Sequence, residues 1–279
     1  MPQSKSCVKL RLTMELDALD IIGLQTDLHW RDPNANLAHF DGLLKGLETS
    51  EADLVVLPEM FTTGFSWPPI SPEGPGNAVL DWMQGWADRL DAAMVGSVAC
   101  ADAEGRARNR CWFVPPSKEG PPTLYDKRHL FSLAGEHEHF KAGEDRVEVE
   151  FRGFRILLQV CYDLRFPVFV RNDRKTPYDL AIFVANWPEQ RTAAWRTLLQ
   201  ARAIENQCFV AGINRSGTDG NGHGYSGDSL IVDFAGTPLA DAGNSGQPAT
   251  LRARMSKADL MDFRRQLPFL EDADRNQPA

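Results

Sequence analysis

Three side chains of the types needed to hydrolyse an amide occur in similar sequence settings: the thiol of Cys161, the carboxylate of Glu59 and the ammonium of Lys127. Cys161 follows the mainly apolar residues 156–160 and precedes a more polar stretch that ends at Pro167. This pattern predicts a buried strand that ends in a sharp strand-to-helix turn. Because the backbone N–H groups of such a turn can stabilise negative charge, Cys161 is the candidate nucleophile.

Glu59 and Lys127 each have an ordinary interpretation when taken alone. Glu59 follows the apolar residues 54–57 at a point where α/β folds place functional groups, but it could be an exposed carboxylate in a turn. Lys127 has apolar residues on both sides, but it could be a surface lysine or an ion-pair partner of Asp126. A cysteine is also often a small core residue. The joint occurrence of three complementary types favours catalysis.

The chemistry that these three types support is nucleophilic amide hydrolysis. A free thiol with a pKa near about 8.5 is mostly protonated at neutral pH, so a base must activate it. A partly buried carboxylate can accept the thiol proton and pass it to departing ammonia. The lysine ammonium and the backbone N–H of Tyr162 can stabilise the tetrahedral oxyanion. This scheme requires no metal and no cofactor.

The elements that would position these residues alternate between strands and helices. Apolar faces with i, i+3 and i+4 spacing predict helices over residues 36–47, 78–90 and 191–206. Continuous apolar runs predict strands that are buried on both faces, and these cover residues 21–24, 54–57, 93–98, 112–114, 154–160, 180–185, 208–213 and 229–234. We therefore expect an α/β fold whose sheets are covered by helices.

No linker or internal repeat divides the chain. Residues 1–279 are therefore predicted to form a single domain with a core at about residues 19–265. A loose N-terminal arm and a polar C-terminal tail after Leu270 are expected to flank this core.

Composition favours an enzyme that acts on small molecules in the cytoplasm. The formal net charge of −8 disfavours nucleic-acid binding, because phosphate binding needs a positive field. The apolar runs are far shorter than the roughly 18–20 residues of a membrane span, and no apolar signal-peptide segment follows the N-terminus. The five cysteines form no C-x-x-C pair and are expected to be free thiols.

The motifs around these residues resemble those of the nitrilase (carbon–nitrogen hydrolase) superfamily over roughly residues 19–265. They are, in chain order, Leu-Pro-Glu59-Met-Phe61, Tyr-Asp-Lys127-Arg-His-Leu-Phe131, Cys161-Tyr162-Asp-Leu-Arg165-Phe-Pro and Val-Ala-Asn186-Trp187-Pro, followed by residues 195–206 and 224–229. The residues of these motifs are similar to those of the omega-amidase branch, which hydrolyses 2-oxo-acid amides such as 2-oxoglutaramate and 2-oxosuccinamate. The resemblance implies a four-layer α-β-β-α sandwich and a homodimer that pairs two sandwiches.

The resemblance also implies a role for each catalytic residue. Glu59 would be the general base, Lys127 the oxyanion stabiliser and Cys161 the nucleophile that forms a thioester. The family has a second glutamate after the lysine motif, which orients the lysine. Glu136 is the predicted second glutamate, and Glu138 is the alternative.

The substrate contacts follow from the chemistry of the implied substrate. A 2-oxo dicarboxylate monoamide carries a distal carboxylate that a cation should bind. Arg165 is the candidate cation, although an ion pair with Asp163 would also explain it. The candidate pocket residues are Tyr162, Phe61, Phe131, Asn186, Trp187 and Tyr225, and core packing is the alternative for the aromatic ones.

Three further patterns have weaker functional interpretations. His137 and His139, with His129 nearby, lack the spacing of common zinc sites, so no metal is predicted. Ser226 misses the spacing of a nucleophile elbow. The glycine-rich residues 217–224 lack nucleotide-binding spacing, and a mobile loop that shapes the mouth of the site is expected there.

The sequence is also compatible with other functions. Another amide, a nitrile or an N-carbamoyl compound could be the substrate of the same catalytic residues. A non-catalytic dimeric binding scaffold is the alternative from a different class. Such a scaffold would be expected to have lost a catalytic residue, whereas Glu59, Lys127 and Cys161 are all present.

Overall fold

The computed structural model describes residues 18–68 and 78–273, in which strands and helices alternate as predicted. The strands are β1 (Ala18–Gln25), β2 (Leu54–Val56), β3 (Ala93–Ala101), β4 (Ala107–Val114), β5 (Thr123–Asp126), β6 (Glu148–Phe151), β7 (Phe154–Val160), β8 (Leu180–Ala185), β9 (Phe209–Asn214), β10 (Ser216–Thr218), β11 (Gly224–Ser226), β12 (Leu230–Val232), β13 (Pro238–Asp241) and β14 (Ala249–Ser256). The helices are α1 (Pro33–Leu44), α2 (Ala78–Leu90), α3 (Glu136–His139), α4 (Pro167–Val170), α5 (Thr192–Asn206) and α6 (Lys257–Gln266). The expected N-terminal arm and the end of the polar tail lie outside the described residues.

The strands form two six-stranded sheets and one short hairpin. The strand orders are β14-β1-β2-β3-β4-β5 in the first sheet and β13-β12-β9-β8-β7-β6 in the second. At the centre of the first sheet β1, β2 and β3 are parallel, and at the centre of the second β7, β8 and β9 are parallel. Because parallel strands end at the same edge of a sheet, residues that follow β7 and β8 lie side by side.

The two sheets face each other across the main hydrophobic core. Leu54 and Val56 of β2 belong to the same buried cluster as Ile156 and Leu158 of β7. Burial of an aliphatic side chain of this size stabilises the fold by about 1.5–3 kcal/mol. The packing of the two sheets therefore contributes a large part of the free energy of unfolding.

Helices cover the outer face of each sheet. Phe40 of α1 and Met83 of α2 pack with Val55 in a second buried cluster outside the first sheet. Trp195 and Leu199 of α5 are buried against the second sheet. The layers therefore run helix, sheet, sheet, helix, and the predicted α-β-β-α sandwich is confirmed.

The helices begin and end close to their predicted bounds. Helix α2 has the predicted bounds, and α5 begins one residue later than predicted. Helix α1 begins three residues earlier than predicted, because Pro33 suits the first turn and the Asp32 side chain accepts a hydrogen bond from the Ala35 N–H at 3.0 Å. In the part of the chain that the structure describes, no helix has both the length and the apolarity needed to cross a membrane.

Candidate active site

Cys161 stands at the tight turn predicted at the end of β7. Its φ of +46° is a left-handed conformation, and a 3₁₀ turn over Cys161–Arg165 begins with it. The buried carboxylate of Asp163 accepts hydrogen bonds from the Val160 N–H at 3.1 Å and from the Tyr125 hydroxyl at 2.7 Å. These bonds stabilise a backbone conformation that costs roughly 1–3 kcal/mol by itself.

Lys127 lies between two buried carboxylates. Its Nζ is 2.9 Å from Glu59 Oε1 and 2.9 Å from Glu136 Oε2. Glu136 also accepts a hydrogen bond from the Phe131 N–H at 2.6 Å. Glu138, the alternative second glutamate, is exposed. The structure therefore brings Glu136, rather than Glu138, to the lysine.

Asn109 of β4 joins the two carboxylates and is a site residue that the sequence analysis missed. Its Nδ2 donates to Glu59 Oε1 at 2.8 Å and to Glu136 Oε1 at 3.0 Å. The hydroxyl of Ser97 donates to Asn109 Oδ1 at 2.9 Å, which fixes the orientation of the amide. Asn109 stands between Arg108 and Arg110, before the predicted strand at residues 112–114, so no local sequence pattern indicated it.

Asn186 follows β8 and connects Glu59 to the thiol. Its backbone N–H donates to Glu59 Oε2 at 2.7 Å, and its Nδ2 donates to the Glu59 carbonyl oxygen at 2.5 Å. The Cys161 Sγ is 3.9 Å from the Asn186 carbonyl oxygen, and the Glu59 carboxylate is near enough to raise the pKa of the thiol. Glu59, Lys127 and Cys161 are thus brought together from both sheets.

Burial and charge set the protonation states in this cluster. Burial raises the pKa of the Cys161 thiol well above its ordinary value, and the Glu59 carboxylate adds to the rise. Burial alone would lower the pKa of Lys127, but the carboxylates of Glu136 and Glu59 outweigh it and raise that pKa. Burial also raises the pKa of Glu136. The resting site therefore holds a neutral thiol beside a lysine ammonium.

A cavity of about 420 Å³ opens onto Cys161. Its lining includes six of the residues predicted to contact substrate or to wall the pocket, which are Tyr162, Arg165, Phe131, Asn186, Trp187 and Tyr225. Further lining residues that the sequence analysis did not single out are Phe65, Leu133, Ala134, Pro188, Gln190, Arg191 and His223. The cavity is large enough for a small acyl amide and is walled mainly by apolar and aromatic groups.

Phe61 does not line this cavity, in contrast to its prediction as a pocket residue. Its ring is fully buried and packs edge-on against Phe40 at a centroid distance of 5.5 Å, on the helix-covered side of the first sheet. Phe65 lines the cavity instead. The reason is that the chain after β2 turns through left-handed residues, Met60 with φ of +42° and Gly64 with φ of +68°. Core packing, the alternative interpretation, is what the structure shows for Phe61.

Arg165 is not an ion-pair partner of Asp163. The Asp163 Oδ1 accepts from the His129 backbone N–H at 2.9 Å and lies 2.8 Å from His129 Nδ1. The Arg165 guanidinium instead lies over the ring of Trp187, with Cζ 4.9 Å from the ring centroid. Within residues 18–68 and 78–273, no carboxylate forms an ion pair with Arg165. Its charge is therefore available to the cavity.

The glycine-rich segment is a hairpin rather than a plain loop. Strands β10 and β11 pair antiparallel, with Ser216 opposite Ser226. The hairpin adds His223 and Tyr225 to the wall of the cavity, so it does shape the mouth of the site. The Ser226 hydroxyl donates to the buried Asp228 at 2.8 Å and does not line the cavity.

The histidines and cysteines do not form a metal site or a disulfide within the described residues. His137 and His139 are exposed, whereas His129 is bonded to Asp163. No group of three or more potential metal ligands is found within the described ranges. The cysteines in those ranges, Cys100, Cys111, Cys161 and Cys208, are all free thiols.

Comparison with known proteins identifies relatives over nearly the whole chain. The carbon–nitrogen hydrolase family model matches residues 21–265. The omega-amidase YafV of Yersinia enterocolitica is 49% identical over 260 residues, which cover 93% of this chain and 98% of that protein. The 2-oxoglutaramate amidase of Bacillus subtilis is 30% identical over 252 residues, which cover 89% of this chain and 95% of that protein.

A solved structure supports the same relationship. The CN-hydrolase superfamily protein XC1258 of Xanthomonas campestris, determined with an arsenic adduct in its active site, aligns with a TM-score of 0.85 and 42% identity. The alignment covers 94% of this chain and 99% of that one. Fold and sequence therefore lead to one family.

Proposed function

Because the chain belongs to the carbon–nitrogen hydrolase family and is a hydrolase of carbon–nitrogen bonds other than peptide bonds, we propose that it is an omega-amidase. It would cleave the terminal amide of a small 2-oxo-dicarboxylate monoamide to the acid and ammonia. The observation that carries this proposal is the buried Glu59–Lys127–Glu136 cluster beside the thiol of Cys161. The cavity at this cluster also presents Arg165, which has no acidic partner within the described residues. The similarity to YafV and to the 2-oxoglutaramate amidase supports the choice of substrate class.

The proposed reaction begins with attack of the Cys161 sulfur on the amide carbon. Glu59 accepts the thiol proton as the carbon–sulfur bond forms, so a free thiolate need not accumulate. The Lys127 ammonium and the backbone N–H of Tyr162 stabilise the negative oxygen of the tetrahedral intermediate. Collapse of that intermediate breaks the carbon–nitrogen bond, and Glu59 returns the proton to the departing ammonia.

Hydrolysis of the resulting thioester completes the cycle. Glu59 then takes a proton from water, which attacks the thioester carbon, and the Cys161 sulfur leaves as a thiol after the proton returns to it. Glu136 touches Lys127 and not the thiol, so its proposed role is to hold the ammonium in place. Asn186 is proposed to hold the Glu59 carboxylate in place through its backbone N–H.

The proposed substrate contacts are residues that line the cavity. Arg165 would bind the distal carboxylate of the substrate, since its guanidinium has no acidic partner within the described residues. Phe131, Tyr162 and Trp187 would wall the acyl chain and exclude bulk water from the cavity, while the one water that Glu59 activates still reaches the thioester. Asn186 would contribute to the cavity floor beside the thiol.

The test is release of ammonia from 2-oxoglutaramate and 2-oxosuccinamate by the purified protein. Replacing Cys161 with alanine or serine should abolish turnover, whereas Cys100→Ala, a buried thiol outside the site, should retain it. A panel with a nitrile, an N-carbamoyl compound and a neutral amide separates the related hydrolases. If the protein turned over only one of these three compounds and neither 2-oxo-acid amide, the corresponding hydrolase activity would take the place of the omega-amidase proposal. Full activity of Cys161→Ala would disprove the nucleophile assignment, and absence of all turnover would favour a binding scaffold.

The assembly and location are proposals as well. We propose that residues 1–279 form one catalytic unit, that two copies form a homodimer, and that the enzyme works in the cytoplasm. The support is the family resemblance and the absence of paired cysteines among the described thiols. Light scattering on the purified chain tests the dimer, because a monomeric mass at micromolar concentration would rule it out.

A further inference from the structure

Arg191 is a second cation at the cavity, and neither the motifs nor the ion pairs account for it. It is the residue just before α5, and its side chain lines the same cavity as Cys161 and Arg165. Its guanidinium lies over the Phe131 ring, with Cζ 5.1 Å from the ring centroid. Arg196, one turn along α5, contrasts with it because that side chain is paired with Asp228 and Asp241.

The two cavity arginines have the same environment. Each lies over an aromatic ring, is partly exposed, and lacks an acidic partner among the residues that the structure describes. The lining of the cavity includes no aspartate or glutamate within those residues. In a chain with a net charge of −8, a wall with two unneutralised guanidinium groups is a local positive site.

Trp187 fixes the two arginines relative to each other. Its ring supports the Arg165 guanidinium, and its Nε1 donates to the Arg191 carbonyl oxygen at 2.8 Å. Phe131, the ring under Arg191, has its backbone N–H bonded to Glu136 at 2.6 Å. Arg191 is thus connected through the Phe131 residue to Glu136, which holds Lys127.

We propose that Arg165 and Arg191 together form a two-guanidinium subsite that binds the carboxylate of the substrate and selects acyl chains that end in one. The inference rests on the proposed omega-amidase function and names the residues that make it specific. Guanidinium groups bind carboxylates through charge-assisted hydrogen bonds, and two of them fix the orientation of the acyl chain as well as its charge. Orientation matters because the amide carbon must reach the sulfur.

The kinetic test compares two amides of equal chain length, 2-oxosuccinamate and butyramide. Arg191→Met and Arg165→Met should each lower kcat/KM for 2-oxosuccinamate by about 10- to 100-fold, mainly through a higher KM. The same variants should change kcat/KM for butyramide by less than about twofold, because butyramide has no carboxylate. Arg191→Lys should recover part of the loss, since charge remains but the planar fork does not. Arg89→Met is the matched control, because that guanidinium also lies over a ring, that of Trp86, but outside the cavity. Equal losses on both amides, or no loss on 2-oxosuccinamate, would overturn the proposal.

A binding test separates this proposal from the proposed function. The product 2-oxoglutarate should slow alkylation of Cys161 by iodoacetamide in the native enzyme, as followed by peptide mass spectrometry. Arg191→Met should need about tenfold more 2-oxoglutarate for the same protection, whereas Arg89→Met should not. Arginine-dependent protection without turnover of any 2-oxo-acid amide would refute the omega-amidase function and keep the subsite. Turnover of 2-oxosuccinamate with protection that does not depend on Arg191 would refute the subsite alone.

Discussion

At the scale of single residues, the site is a buried cluster with more acids than bases. One ammonium, that of Lys127, faces the carboxylates of Glu59 and Glu136, and the thiol of Cys161 stays neutral because burial raises its pKa. A thiolate at rest would add another negative charge to a site that already has an excess. In the proposed mechanism the nucleophile is therefore activated during attack, when Glu59 takes its proton.

The charge of Glu136 should set the alkaline limit of activity. Because Glu136 and Glu59 hold the pKa of Lys127 above its ordinary value, the ammonium persists to high pH in the native enzyme. In Glu136→Gln one of these two negative charges is lost, while burial still lowers the pKa of Lys127. The ammonium should therefore lose its proton at a lower pH, and the alkaline limb of kcat/KM should move to lower pH. A pH profile of ammonia release measures the shift. Glu138→Gln is the matched control, since Glu138 is exposed, and an unshifted limb in Glu136→Gln would contradict the role.

The amide of Asn109 should support catalysis through the two carboxylates. Replacing it with leucine, which has a similar shape, removes donors to Glu59 and Glu136, and a hydrogen bond to a charged group contributes about 1.5–3 kcal/mol. We expect kcat to fall by about 10- to 100-fold with little change in KM. The control is Asn172→Leu, which removes a buried amide that bonds Tyr178, outside the site. That variant should lose stability but keep kcat once folded; a similar kcat loss in both would contradict the assignment.

The site residues that could be predicted from sequence are those with a reactive side chain at a recognisable position, the end of a strand. Glu59 and Cys161 follow apolar strands, so their position at a strand end could be read directly. Asn109 could not, because an amide inside a strand has no reactive group of its own and acts only through partners distant in sequence. Phe61 and Phe65 could not be told apart, because the left-handed residues between β2 and Phe65 remove the strand periodicity.

At the scale of elements, the buried strands and the long helices were predictable, whereas the edge strands were not. Strands β7 and β8 are continuous apolar runs in the sequence and are buried throughout. Strand β13 is at the edge of the second sheet and is mostly exposed, so its pattern lacks an apolar signal. Strand β14 mixes exposed and buried positions and resembles a polar segment. The hairpin of β10 and β11 has glycines where an apolar pattern would otherwise be.

Helix α5 should depend on Arg196 for its attachment to β13. Arg196 bonds Asp241, and this hydrogen bond lowers the pKa of Asp241 below its ordinary value. Arg196→Met should reduce the free energy of unfolding by about 1 kcal/mol at neutral pH, because the pair is partly exposed and screened by solvent. The control Arg155→Met removes a pair with the exposed Glu150 and a longer pair, of 3.6 Å, with Glu148, and should cost less.

The effect of Arg196 on stability should depend on pH with a definite sign. A lowered pKa in the folded state means that the pair contributes stability above the unfolded pKa of about 3.9 and loses it as pH falls through the lowered value. The difference in Tm between the native protein and Arg196→Met should therefore shrink below about pH 4. A difference that stays constant or grows on acidification would show that Asp241 is not the partner that matters.

At the scale of the whole molecule, the packing of the two sheets assembles the site. Glu59 and Lys127 belong to the first half of the chain and are 68 residues apart, while Asn186, which bonds Glu59, is 127 residues from it. Local sequence patterns contain no information about such distances. The family resemblance supplied what the patterns could not, namely a four-layer sandwich and a joint catalytic role for Glu59, Lys127 and Cys161.

The close approach of the sheets should be measurable at Gly23. A Cβ added to Gly23 of β1 would overlap the Cδ1 atom of Ile213 on β9, so Gly23→Ala should destabilise the fold by about 1–3 kcal/mol. Ile213→Val removes that atom and should cost about 0.5–1.5 kcal/mol alone. The double variant should be more stable than the sum of the two losses predicts, because the contact causes both effects. Gly42→Ala, on α1 with open space around it, should not destabilise, and urea unfolding of all four variants measures the cycle. Simple additivity would show that the contact between Gly23 and Ile213 is not the cause of the loss in Gly23→Ala.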